Sequence, residues 1–310
     1  MHYLLKWCHQ FSEVMTMSSY VCSICPRQCN AMRDDTSGGG FCEMAASPVV
    51  ARAALHFGEE PCISGTNGSG TVFFSGCSMR CCFCQNHSIS HKNEGKAITV
   101  ERLAEIFEEL ENEGAHNINL VNPSHYAVSI RKALQLYRPN IPVVYNSSGY
   151  ERVETLKLLD GFVDVYLPDC KYVDSSLSLA LSGAENYFKM ASVAILEMAR
   201  QTGIAQFDAG GMMTKGTMVR HLVLPGHTKN SMQVLDWLST IKDSVWVSLM
   251  FQYTPCGDIS AHKELQRTLT RRECEKVWQY MDDLGIINGY VQDRKSAGTT
   301  MIPAFDLTGV

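Results

Sequence analysis

The chain has 310 residues, 45% of them hydrophobic, enough to bury a full core as one large domain with at most a small appendage. A net charge of -5 with no basic run argues against nucleic acid as a partner; Arg267, Arg271, Arg272 and Lys276 read as the solvated face of a helix. No apolar stretch approaches the roughly 18 residues that span a bilayer, and Met1 to Cys8 lacks the apolar run of a secretory signal, so no membrane partner and a cytoplasmic location are expected.

Taken from the start, the first 70 residues are rich in Gly, Ser, Pro and Cys, with a clear loop over Asp34 to Gly40. Residues 1–70 therefore read as a cysteine-rich appendage with little core of its own, ordered by a metal. The chain carries 13 cysteines, and in a reducing compartment these argue for metal binding or catalysis because disulfides do not persist there. Cys22, Cys25, Cys29 and Cys42 follow the spacing C-x2-C-x3-C-x12-C and are expected to form a four-thiolate site, holding structural zinc or an auxiliary 4Fe-4S cluster. The alternative is four unliganded thiols.

Thr71-Val72-Phe73-Phe74 reads as a short strand that Ser75-Gly76 ends. Directly after it come Cys77, Cys81 and Cys84, spaced C-x3-C-x2-C. Four thiolates complete an electron-transfer cluster, whereas three hold three irons of a cubane and leave the fourth open for chemistry. The bland alternatives are small buried hydrophobes or part of a zinc site. Cys82 breaks the spacing and reads as a spare, packed thiol.

Beyond the cysteines, strands and amphipathic helices alternate. Strands are expected at 116–121, 142–145, 163–167, 218–224 and 245–250. Leu103, Ile106, Phe107 and Leu110 repeat at helical spacing behind Thr99 as the cap, with Glu101 in the first turn. Val234, Leu235, Leu238 and Ile241 repeat the pattern, and Thr270 to Glu273 is a capping box. Six strands separated by helices imply an α/β fold with a parallel sheet and right-handed crossovers, although periodicity does not separate a barrel from a doubly wound sheet. Residues 71–260 form this unit, and 261–310 read as a helix and tail packed on it.

In α/β barrels the active site lies at the carboxyl ends of the strands. Polar residues recur at those points here: Asn122, Ser124 and His125, then Asn146 and Ser147, then Asp169 and Lys171, and Arg220 within the fifth strand. Period 2 puts Arg220, Leu222 and Leu224 on one face and His221 on the other.

The three cysteines, with aromatic Phe83 just before the last, resemble the signature of the radical S-adenosylmethionine (SAM) enzymes. That resemblance implies a partial (β/α)6 barrel and a 4Fe-4S cluster on Cys77, Cys81 and Cys84. It also implies SAM chelating the unique iron through its amino and carboxylate groups, with Phe83 against the adenine. Within the family, the match is to pyruvate formate-lyase activating enzyme and its homologues, over about residues 70 to 260. It is closest to an activating-enzyme-like branch that also carries Cys-x-x-Cys-Pro-Arg-x-Cys and the stretch seen here at 54–65. Asn146-Ser147-Ser148-Gly149 is similar to their Asp-Thr-Asn-Gly turn, Asp169-Cys170-Lys171 to their Asp-Leu-Lys, and Val219 to Gly226 to their Arg-Tyr-Val-Val-Val-Pro-Gly.

Three departures accompany the match, the first being Asn146 in place of the Asp of the Asp-Thr-Asn-Gly turn. The loop after the second strand carries Asn122-Pro123-Ser124-His125 where many members have Gly-Gly-Glu, and Gln252 stands near a position where the activases have His. Lys171 is the candidate to neutralise the SAM carboxylate, an ammonium being its natural partner, with a strand-end salt bridge as the alternative. Asn122, Asn146, Ser147, Asp169 and Arg220 are expected to hold SAM, and the placement of His125 makes it a candidate proton donor or ligand, with a surface or packing role as the alternative. The resemblance implies reductive cleavage of SAM to a 5'-deoxyadenosyl radical for hydrogen abstraction, fed by a reductant such as flavodoxin or ferredoxin. The target is a glycyl-radical protein or, as the alternative, a small molecule or another protein. A non-enzymatic iron-sulfur relay is the rival class, and a fourth local thiolate would suit it better.

Overall fold

The computed structural model describes residues 19–292 and 302–310. Met1 to Cys8, the stretch read for a leader, lies outside the described residues. A ten-stranded sheet organises the chain. Its main strands are β1 (Val49–His56), β2 (Ser69–Phe74), β3 (Ile118–Val121), β4 (Val143–Ser147), β5 (Val165–Pro168), β6 (Met213–Leu222), β7 (Trp246–Met250) and β8 (Gly289–Gln292). From β2 to β8 neighbouring strands are parallel. β1 runs antiparallel to β2.

Helices connect the parallel strands: α1 (Val100–Asn112), α2 (Ala127–Leu136), α3 (Val153–Leu158), α4 (Ser175–Ser182), α5 (Tyr187–Thr202), α6 (Thr228–Ser239) and α7 (Arg271–Asp283). The expected caps are in place. The Thr99 side chain accepts from the Arg102 amide, and Thr270 with Glu273 forms the reciprocal box.

Alternation along each strand divides the sheet into two faces. Val72, Phe74, Ile118, Leu120, Val143 and Tyr145 face outward and form one core with Leu103, Phe107, Ile130 and Leu134 of the first helices. Val219, Val223, Val247 and Leu249 form a second core with Ile195, Val234, Leu238, Val277 and Met281. Inward positions are more polar: Thr71, Asn119, Asn146 and Ser248 are all buried on that face.

The sheet order runs linearly from β8 to β1 and the two-residue strand Lys96–Ala97 beyond it, with no ladder joining the two ends among the described residues. In a flat sheet β8 and β1 would lie about 34 Å apart. Yet the Gln292 amide of β8 donates to Glu60 Oε1 at 3.1 Å, only four residues beyond β1. The sheet is therefore curled around its polar face without closing. The six expected strands are present within a few residues of their expected positions, and β8 adds a further parallel strand beyond them.

The segment expected to be a separate appendage enters the sheet at Val49. Between β1 and β2, Pro61–Ser64 forms a helical turn whose Cys62 and Ile63 pack against Val144, Val165, Leu167 and Met218. This turn plugs the amino end of the curled sheet and sets Glu59 and Glu60 facing the interior. At the carboxyl end of the chain, Ala53 and Ala51 exchange backbone hydrogen bonds with Thr308 and Leu307, which covers the outer edge of β1.

Candidate active site

A cavity of about 580 Å³ occupies the concave side of the sheet. Its wall takes residues from most of the main strands, including Phe73, Val121, Asn146, Arg220, Met250 and Gln292, and Asp169 just beyond β5. Cys77, Cys81, Phe83 and Cys84 all line it, and they come from the loop that leaves the carboxyl end of β2. Two glycines permit close backbone approaches at this end of the sheet, one of them against that loop. Gly257, at φ 71, would place a Cβ 2.2 Å from the Cys82 carbonyl oxygen. Gly149, at φ 73, lets the turn after β4 approach the Asp169 carbonyl, which a Cβ would meet at 2.1 Å.

Each of the three sulfurs accepts a hydrogen bond: Cys77 from the Met79 amide at 3.3 Å, Cys81 from the Ser182 hydroxyl at 3.1 Å and Cys84 from the Ser90 hydroxyl at 3.3 Å. Burial first, and then the neighbouring sulfurs, push two of these thiols up, Cys77 to about 12 and Cys84 to about 11. Such thiols ionise together only when a cation offsets the charge, which is the chemistry of a cluster ligand set. Among the described residues, no three His, Cys, Asp or Glu side chains converge on one metal-ion position. Thiolates for three different irons need not do so. Donor type, shared cavity and hydroxyl donors to sulfur together fit a three-thiolate cluster. Cys82 does not line the cavity and packs against the second core, as expected of a spare thiol.

The amino-terminal cysteines are arranged differently. Cys22, Cys25 and Cys42 are buried while Cys29 is exposed. Burial pushes Cys25 up to about 12, and the Arg33 guanidinium lies 3.6 Å from the Cys22 sulfur. These residues surround the small ribbon of Tyr20–Val21 and Met32–Arg33 without converging on one metal position.

Asn122, Asn146, Ser147, Asp169, Lys171 and Arg220 line the cavity. Arg220 is the hub, donating to Asp169 at 3.1 Å, to Glu59 at 3.0 Å and to the Asn146 side-chain oxygen. Lys171 also pairs with Asp169. Burial would raise the Asp169 carboxyl, but Lys171 and Arg220 outweigh it and hold the group below the usual carboxylate range. The Tyr187 hydroxyl ties the turns after β4 and β5 together through the Ser148 and Asp169 carbonyls and the Lys171 amide.

His125 stands apart from these residues. It does not line the cavity; it lies behind the cysteine loop, with Nε2 2.7 Å from the Ser75 carbonyl and its own carbonyl accepting from Arg33 at 3.0 Å. Burial lowers its imidazole to about 3, so it is neutral and packs the loop from outside. Glu59 and Glu60 were not among the expected site residues. Glu59 accepts from Asn119 and Asn146, each at 3.1 Å, as well as from Arg220. The sequence signals were two successive acids before Pro61 and their place in the matched stretch at 54–65, neither of which points to the cavity.

Residues 71–238 match the family model of the radical SAM superfamily. The chain belongs to the radical SAM superfamily. A protein of Methanocaldococcus jannaschii of no stated activity is 32% identical over 265 residues, 82% of this chain and 72% of that one. Among solved structures, SuiB of Streptococcus suis shares 13% identity at a TM-score of 0.47 over 70% of this chain; the match spans 47% of SuiB. Methylornithine synthase PylB shares 14% at 0.46, covering 69% of this chain and 68% of its own. A domain of pyruvate-formate lyase-activating enzyme from Bacteroides vulgatus shares 12% at 0.35, covering 63% and 91%.

Radical SAM membership implies a 4Fe-4S cluster with SAM as its partner, and it reaches the superfamily without selecting one branch. The fold is of radical SAM type, an α/β sheet and helices, with the sheet open as described. Among the described residues no helix is long and apolar enough to cross a membrane.

Proposed function

We propose that this radical SAM protein is an enzyme whose cluster is held by Cys77, Cys81 and Cys84 and whose substrate enters the cavity those residues line. The observation that carries the reading is their convergence, with Phe83, on the same cavity as Asp169, Lys171 and Arg220. When bound, a reduced cluster with one open iron supplies the electron that cleaves SAM to methionine and a 5'-deoxyadenosyl radical, which takes a hydrogen atom from the substrate.

The chain's own residues bind, orient and exclude water. Hydroxyl donation from Ser182 and Ser90 to the sulfurs stabilises negative charge on them. Phe83, 6% exposed, offers an apolar edge for the adenine. Lys171 remains the ammonium assigned to the SAM carboxylate, which must share it with Asp169. Asn122 fixes the loop, since its amide donates to the Gly76 carbonyl while its backbone holds φ 60. A low-potential reductant such as flavodoxin or ferredoxin would deliver the electron.

For the target, the resemblance to activases supports a glycyl-radical protein, and the buried carboxyl groups of Glu59 and Glu60 at the cavity floor support a small molecule; we adopt the small molecule. The amino-terminal cysteines are proposed to staple their segment, as thiols or on a metal, away from SAM. Anaerobic reduction in the presence of SAM tests the reading: 5'-deoxyadenosine forms in the reconstituted protein and not in Cys81→Ala. Incubation with glycyl-radical proteins gives no glycyl-radical doublet if the target is a small molecule.

A further inference from the structure

The cavity floor carries two adjacent carboxylates in unlike surroundings. Glu59 is matched by Arg220 and by two asparagine amides. Glu60 lines the same cavity and is 1% exposed; its Oε1 accepts from the Gln292 amide at 3.1 Å and the Ser248 hydroxyl is close enough to favour its charge, while its Oε2 has no hydrogen-bond partner among the described residues. Arg220 is nearby, but Asp169, Glu59 and Asn146 already take its donors.

The neighbouring amides form a directed chain. Gln252 donates to Gln292 Oε1, and the Gln292 amide donates to Glu60 and to the Ser248 hydroxyl at 3.3 Å. The Gln292 Nε2 thereby faces the carboxylate, and the Gln252 oxygen too has no hydrogen-bond partner among the described residues. The result is a wall beside β7 and β8 with two buried acceptors that no described donor satisfies. A buried carboxylate oxygen without a hydrogen-bond donor is costly. Burial pushes Glu60 toward its neutral form, Arg220 pulls the other way and the Glu59 charge adds to the push, so a bound cation would favour the charged form.

We propose that Glu60 and Gln252 form a subsite for an organic cation bearing N–H donors, an ammonium or guanidinium group on the substrate. The inference rests on the cavity being the substrate site. An anion offers no N–H to either acceptor, and a group without donors likewise leaves both unmatched. Lys171 and the cysteine loop belong to the cofactor side, whereas Glu60 is held from β7 and β8, so the cation belongs to the substrate rather than to SAM.

The test is binding to the reconstituted protein, followed by thermal shift and calorimetry with cadaverine, methylguanidine, tetramethylammonium and 1,5-pentanediol, each with S-adenosylhomocysteine present. Cadaverine or methylguanidine is expected to stabilise the protein, while tetramethylammonium and the diol do not. Glu60→Gln is expected to weaken the binding about tenfold or more, and Gln252→Leu by a smaller factor. The second variant decides the matter if the first does not fold. No shift with either N–H cation, an equal shift with the diol or tetramethylammonium, loss of the shift when S-adenosylhomocysteine is added, or unchanged affinity in the folded variants would each overturn the proposal. Cluster assembly and 5'-deoxyadenosine formation in the same wild-type sample report separately on the proposed function.

Discussion

The Ser182 hydroxyl donates to the Cys81 sulfur at 3.1 Å and shares a 2.8 Å hydrogen bond with the Tyr172 hydroxyl. Ser182 ends α4, and the preceding Leu181 carbonyl accepts from the Cys82 amide at 2.9 Å. The end of one helix therefore holds the cysteine loop by its backbone and touches a sulfur by its side chain.

Donors to cluster sulfur stabilise the reduced, more negative state and raise the reduction potential. Ser182→Ala in the reconstituted protein should lower that potential, with iron content unchanged, and Ser182→Thr should restore part of it. Redox titration followed by electron paramagnetic resonance checks this. An unshifted potential would remove the sulfur contact from the account.

Arg27 links the amino-terminal segment to the same place. It donates to the Ser78 carbonyl at 2.7 Å and the Ser182 carbonyl at 2.8 Å, and its guanidinium lies 3.8 Å from the centre of the Phe41 ring. Arg27→Ala should cost roughly 2 kcal/mol in denaturant unfolding and accelerate amide exchange around Cys77 to Cys84. Exchange confined to the amino-terminal segment would contradict the link.

Removing one partner of a buried charge network leaves the others uncompensated. Arg220→Met strands Asp169 and Glu59, and the expected cost is about 3–5 kcal/mol. Pairing it with Glu59→Gln should recover part of the loss, which a double-mutant cycle measures.

Asp169 also sets a pH dependence. Its folded-state pKa is depressed, so its contribution to stability is fully present above the unfolded value near 4 and is lost as pH falls through the lower folded value. Wild type should therefore lose stability on acidification below about pH 4 more steeply than Asp169→Asn, which starts less stable. Parallel curves for the two proteins would show that Asp169 is not the group responsible.

Much of this site was legible from residue order because it sits where strands stop. Cys77, Cys81, Cys84, Asn146, Asp169 and Arg220 lie on one cavity because period 2 and the strand ends fix their direction. β1 was not legible: Ala51, Ala53 and Ala54 carry little strand preference, and the strand exists through pairing with β2. β8 is four residues long and takes its form from β7. His125 shows the converse failure, since its place after a strand suggested the cavity while the turn Ser124–Tyr126 carries its ring behind the cysteine loop. Glu59 and Glu60 reach the floor only because Pro61–Ser64 plugs the curled sheet, a tertiary event with no local pattern.

The central claim is that Cys77, Cys81 and Cys84 alone hold the cluster that cleaves SAM. Its most direct test is anaerobic reconstitution of wild type, of Cys81→Ala and of a variant with Cys22, Cys25, Cys29 and Cys42 replaced by Ser, followed by reduction and quantification of 5'-deoxyadenosine. Wild type and the folded amino-terminal variant should form it, and Cys81→Ala should not. Formation in Cys81→Ala, or none in fully reconstituted wild type, would contradict the account.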